Sequence, residues 1–214
     1  VADLDSSSIT LAWGRADGVK RNSIGRDAEP AGSTTVQIDG RTLTTDRPWL
    51  RVDHLKPDTL YPYSVSRNGD SITAATRTWP AQADSLSFFV IGDYGTGSKA
   101  QLAIAARMAE EFKRLESQGR HVRFVLSTGD IIYGKFSASG ADDRDWESKF
   151  FSPYQDILRA IPFKTILGNH DGNQSESARD LEVCLDNLFM PGRWYRFNYA
   201  SFAEFLFLDT TTNQ

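Results

Sequence analysis

Three apolar runs in the second part of the chain break off in the same way, and this limits the fold more tightly than any other feature. Leu86-Ser87-Phe88-Phe89-Val90-Ile91 leads into Gly92-Asp93-Tyr94-Gly95, and Phe124-Val125-Leu126-Ser127 into Gly129-Asp130-Ile131-Ile132-Tyr133. Phe163-Lys164-Thr165-Ile166-Leu167 ends in Gly168-Asn169-His170-Asp171. Runs this apolar read as strands buried on both faces of a sheet. Asp93 and Asp130 are 37 residues apart, and Asp130 and Asn169 are 39 apart, each the length of one strand with its crossover. Between the first two runs, Ser98 can cap a helix over 99–117, with Ala105, Met108, Phe112 and Leu115 on one apolar stripe and Gly119 closing it. Helical pieces over 146–151 and 154–158 precede the third run. Strand, helix, strand, helix, strand predicts a largely parallel sheet.

In such a sheet the carboxyl ends of the strands face one crevice, where ligands bind. Three strands then deliver two carboxylates, an amide oxygen, a phenol and an imidazole to one place. Taken singly, each ending is an ordinary turn signal, and Asn169-His170-Asp171 reads equally as a polar loop with a satisfied histidine. Three polar endings at the same offset point instead to a metal site, and oxygen-rich ligation suits hard or borderline cations.

The first part is unlike the second. Ile9, Leu11 and Trp13 alternate with polar or small residues, Asp39-Gly40 and Asn68-Gly69 each separate two β-type runs, and Tyr61, Tyr63 and Val65 alternate again. Two-residue turns of this kind join hairpins. No helix signal occurs before Trp79-Pro80-Ala81-Gln82-Ala83-Asp84, which reads as a linker. The expected organisation is an all-β sandwich over 1–80 and an α/β unit over 85–214.

Composition removes other classes. A net charge of −4 disfavours a protein that works by neutralising nucleic-acid phosphates. No run approaches the ~18 apolar residues of a membrane helix, and no signal peptide opens the chain. The single cysteine, Cys184, excludes both an internal disulfide and a zinc–thiolate cluster, and reads as a small buried hydrophobe. Asn173-Gln174-Ser175 is a glycosylation sequon that chance also produces, and 142–145 reads as a solvated loop or a lining of the cleft. Tyr94 either reaches the site or only packs. Oligomeric state leaves no mark in the sequence.

Leu55-Lys56-Pro57-Asp58-Thr59-Leu60-Tyr61-Pro62-Tyr63 resembles the segment leading into the tyrosine-corner strand of fibronectin type III domains, with Trp13 at the position of that family's core tryptophan. The order GDYG, GDIIY, GNHD resembles the calcineurin-like metallophosphoesterases, and Tyr133, three residues after Asp130, is similar to the purple acid phosphatases. That resemblance implies a fibronectin-like domain followed by the front part of an αββα metallophosphoesterase domain. It implies Asp93 and Tyr133 on a first metal, Asp130 bridging, and Asn169 on a second. It also implies a centre of Fe(III) with Zn(II), Mn(II) or Fe(II). His170 would contact the phosphate or protonate the leaving alkoxide, and Asp171 would orient that imidazole. The implied activity is hydrolysis of small phosphate monoesters by a metal-bound hydroxide, in a secreted or periplasmic enzyme with no nucleic-acid or membrane partner.

The family's three further histidine ligands, one alone and a His-x-His, have no counterpart in these 214 residues. His54 lies in the sandwich and His121 in a turn, so neither takes their place. The 214 residues by themselves are therefore expected to be poorly active. Two alternatives stay open: a phosphodiesterase or nucleotidase on the same metal core, and a non-catalytic binding module with a truncated metal domain.

Overall fold

The computed structural model describes residues 1–13, 33–134, 146–171 and 184–209. The loop at 142–145, the sequon at Asn173 and part of the expected sandwich, 14–32, lie outside the described residues.

Seven strands come first: β1 (Asp3–Leu4), β2 (Ile9–Ala12), β3 (Thr34–Ile38), β4 (Arg41–Thr45), β5 (Trp49–Val52), β6 (Leu60–Arg67) and β7 (Asp70–Arg77). They form one sheet in the order β1-β2-β5 and another in the order β4-β3-β6-β7, and every pairing is antiparallel. Asp39 and Gly40 hold φ of 54° and 68°, and Asn68 and Gly69 hold 51° and 91°, the double left-handed step that a tight hairpin turn needs. Pro62 lies one residue beyond the pairing of β6 with β3, where a missing N–H breaks no bond to that neighbour. Tyr61 is buried, and its hydroxyl accepts from the Lys56 N–H at 2.8 Å. Trp13 is only partly buried, at the margin of a core built on Ile9, Leu11, Val36, Ile38 and Val52.

The second part contains β8 (Ser87–Ile91), α1 (Lys99–Ser117), β9 (Val122–Ser127), a π-helical turn (Glu147–Phe151), the single turn α2 (Gln155–Leu158) and β10 (Phe163–Thr165). The sheet is parallel, in the order β10-β9-β8. The Ser98 side chain accepts from the Gln101 N–H and caps α1. Burial of β8 differs from the expectation of two covered faces. As the edge strand it alternates, with Phe88 36% and Val90 61% exposed, while central β9 is buried nearly throughout. One face of the sheet carries α1, α2 and the π-helical turn, packed through Met108, Leu115, Phe150, Tyr154 and Ile157 against Val125 and Phe163. The other is covered by the antiparallel hairpin of β11 (Tyr195–Tyr199) and β12 (Ala203–Phe207). There Phe124 meets Phe88, Phe197 and Phe205 at centroid distances of 5.1–5.3 Å. Among the described residues no helix is long and apolar enough to cross a membrane.

Trp79, at the head of the expected linker, is a core residue. It is 4% exposed and lies within 6.0 Å of the rings of Phe124, Phe197 and Tyr199. Its indole N–H donates to Arg123 O at 3.3 Å. Around it Arg123 donates to Thr78 O and to Asp58, the Tyr63 hydroxyl donates to Arg159 O, and Thr76 donates to Ala160 O. Lys164 pairs with Asp3. The first seven strands are thus seated on the parallel sheet by an aromatic plug ringed with polar contacts. Trp79→Ala should lower the stability of the intact protein by about 3–5 kcal/mol, read from the urea midpoint. A loss below about 1 kcal/mol would reject the plug.

Candidate metal centre

Each candidate side chain stands where a parallel strand gives way to a loop. The main chains keep pairing past the strand ends: Thr128 N–H donates to Ile91 O (2.9 Å), Asp93 N–H to Gly129 O (3.2 Å), Tyr94 N–H to Asp130 O (3.2 Å) and Ile166 N–H to Ser127 O (3.0 Å). The loops therefore travel together and open on one crevice. They approach so closely that a Cβ on Gly95 would lie 1.6 Å from Ile131 O, and one on Gly168 2.1 Å from Asp130 Oδ1. Only glycine fits there. Asp93 and Asp130 hold φ of 56° and 50°, a left-handed conformation uncommon outside glycine and concentrated at functional sites.

Tyr133 joins the two carboxylates. Its hydroxyl donates to Asp93 Oδ1 at 2.7 Å and stands 3.3 Å from Asp130 Oδ2. The two carboxylate oxygens are thus no farther apart than those distances together. His170 donates its main-chain N–H to Asp130 Oδ1 at 3.0 Å, and its ring lies 4.6 Å from the Tyr133 ring at 41°. Asn169 is exposed on the same turn, Asp93 is exposed, and Asp130, Tyr133 and His170 are half-buried, so the cluster opens to solvent. Desolvation, then the hydrogen bond to Asp93 and the charge of Asp130, push the Tyr133 phenol well above its ordinary pKa.

Asp171 departs from the role that the resemblance implies. It is fully buried; Oδ1 accepts from the N–H groups of Ile131 (2.8 Å) and Ile132 (3.2 Å), and Oδ2 from that of Gly168 (2.9 Å). With both oxygens taken by main chain, it clasps the 130–132 loop to the 168–171 turn instead of aiming the His170 imidazole. Burial pushes its pKa up to about 7, while the three amides pull it down. Tyr94 is buried too, its hydroxyl 3.1 Å from Ser127 Oγ and its ring against Phe150, Tyr154 and Phe163, so it packs and does not reach the crevice. Cys184 is buried with its thiol donating to Asp171 O.

The sequence reading missed two buried polar residues behind the loops, Lys149 and Gln101. For Gln101 a signal existed, since Ser98-Lys99-Ala100-Gln101 has the spacing of a capping box. Lys149 carries no such mark.

Two carboxylates, a phenol and an amide oxygen with no thiolate fit a hard or borderline cation. Among the described residues no three His, Cys, Asp or Glu side chains converge as a metal-binding group, so the phenol and the amide must carry part of any ligation.

The chain matches the calcineurin-like phosphoesterase family over residues 86–211. It belongs to that family, whose members generally use a binuclear metal centre. Among solved structures it is similar to that of PhoD, with a TM-score of 0.64 and 18% identity over 97% of this chain and 50% of that one. The chain thus spans half the length of that protein, and the likeness concerns the fold. No curated protein matches it in sequence.

Asp171→Asn would keep one acceptor oxygen and turn an NH2 toward a main-chain N–H. The expected loss of stability is about 1–3 kcal/mol, measured by urea denaturation. A neutral result would mean that the loops hold together without this carboxylate.

Proposed function

We propose that the chain belongs to a purple acid phosphatase-like enzyme that hydrolyses small phosphate monoesters at a pair of cations. The observation that carries this is the Tyr133 hydroxyl set between Asp93 and Asp130. Asp93 and Tyr133 would hold Fe(III), Asp130 would bridge, and Asn169 would offer its amide oxygen to Zn(II), Mn(II) or Fe(II). Bound cations would neutralise charge on the phosphoryl oxygens and acidify water for in-line attack. His170, whose ring lies beside Tyr133, would hand a proton to the leaving alkoxide oxygen. Asp171 holds the loops that present these groups. A secreted or periplasmic enzyme acting on external esters fits this reading.

The domain division belongs to the same proposal: a fibronectin type III-like sandwich over 1–80 and a phosphoesterase unit over 85–214. Seven antiparallel strands in sheets of four and three, and the Tyr61 hydroxyl bonded back to Lys56, support it.

The test is hydrolysis of an aryl phosphate monoester and a bis-aryl diester by the intact protein, before and after chelation. Monoester turnover should exceed diester turnover, vanish with the metals and return with iron and zinc. Asp130→Asn should lower kcat by at least about 100-fold, and Tyr133→Phe should abolish the visible phenolate-to-iron band. Turnover that survives both chelation and Asp130→Asn would overturn the proposal, and preference for the diester would move it to the phosphodiesterases.

A further inference from the structure

We infer that Lys149 is a positioning residue for the centre: it grips the main chain of Tyr133 and so sets where that phenol stands over Asp93 and Asp130. The inference rests on the reading of Tyr133 as a ligand given above. Lys149 lies in the π-helical turn and is only 4% exposed. Its ammonium donates to Tyr133 O at 2.9 Å. Its stem runs along the loop after β8, where a Cβ on Gly97 would lie 3.5 Å from Lys149 Cγ and 3.8 Å from Cε. The main chain is held in turn: Gln101, itself 3% exposed, donates its side-chain amide to Lys149 O and accepts from Gly97 N–H at 2.7 Å.

The arrangement forms a closed circuit. Lys149 ties the π-helical turn to Tyr133, Gln101 ties the same turn to the first turn of α1, and Tyr133 N–H returns to Gly95 O at 2.9 Å. Tyr133 is therefore held through both its N–H and its C=O, and only its side chain enters the crevice. Burying an ammonium is costly, and the bond to the Tyr133 carbonyl offsets part of that cost. The phenol sits at the far end of that residue, so a small rotation of the Tyr133 peptide would carry the hydroxyl out of reach of both carboxylates.

The experiment uses the intact protein with Lys149→Met and Lys149→Arg, and Lys113→Met as a control for losing an exposed lysine. Hydrogen exchange of the Tyr133 amide is read on the iron-free protein, and ferric affinity and the visible band on the loaded one. Lys149→Met should speed that exchange at least about 10-fold and weaken ferric binding by about 10–100-fold, as losing a residue that orients a ligand does. Lys149→Arg should recover most of both, and Lys113→Met should change neither. Should the Met variant not fold, Lys149→Gln carries the same comparison. Wild-type exchange, or wild-type ferric affinity, in the neutral variant would overturn the inference. Tyr133→Phe keeps the two readings apart: unchanged ferric affinity there would overturn the ligand role of Tyr133, whereas the exchange result stands independent of any metal.

Discussion

The site depends on one buried carboxylate. Asp171 accepts three main-chain N–H groups from two loops that no strand pairing joins directly at that point. Without an acceptor there, the amides of Ile131, Ile132 and Gly168 would be buried and unpaired, and such groups are expensive to leave so. The loops would have to open toward water, and Asp130 and Tyr133 would move with one of them. Asp171 thus acts at one remove from the crevice. The groups that could touch a phosphate are exposed or half-buried, and those that hold them are sealed.

A comparable division holds at the larger scale. The seven N-terminal strands contribute none of the candidate ligands, yet their core residues form one cluster with Phe124 and Tyr199 of the second part. Trp79 lies within that shared cluster, and its neighbours Phe124, Phe197 and Tyr199 all belong to strands of the second part. The polar contacts around Trp79 fix orientation more than they add energy, since each nets about 1 kcal/mol against water.

The sequence made the elements legible where a local rule governed them. Asp39-Gly40 and Asn68-Gly69 are readable because a two-residue hairpin admits few residue pairs. α1 is readable because Ser98, an apolar stripe and Gly119 agree. The convergence of Asp93, Asp130, Tyr133 and His170 followed from a topological rule about strand ends, which needs no knowledge of side-chain packing. What stayed hidden was set by tertiary contact. Nothing local distinguishes Trp79 in a linker from Trp79 in a core. Nothing in Asn169-His170-Asp171 says which of its side chains turns inward, and the order of exposed, half-buried and fully buried along those three residues has no period to read. β8 looked buried on both faces because its composition matches that of β9. Its place at the sheet edge is a property of strand order, not of its residues.

The backbone at the centre shows how the two levels meet. Asp93 and Asp130 both adopt positive φ, a conformation that disfavours most side chains by about 1–2 kcal/mol per residue. Aspartate lessens that penalty, and the main-chain bonds from Asp93 to Gly129 and from Tyr94 to Asp130 hold both residues in place. The same geometry brings two negative charges to one phenol, an arrangement that repulsion between them opposes. Neither local propensity nor electrostatics favours this cluster in isolation. It persists because the parallel sheet, the Asp171 clasp and the close packing at Gly95 and Gly168 leave these loops no other path. The positions of the two carboxylates are thus a consequence of the fold around them and not of any preference of their own.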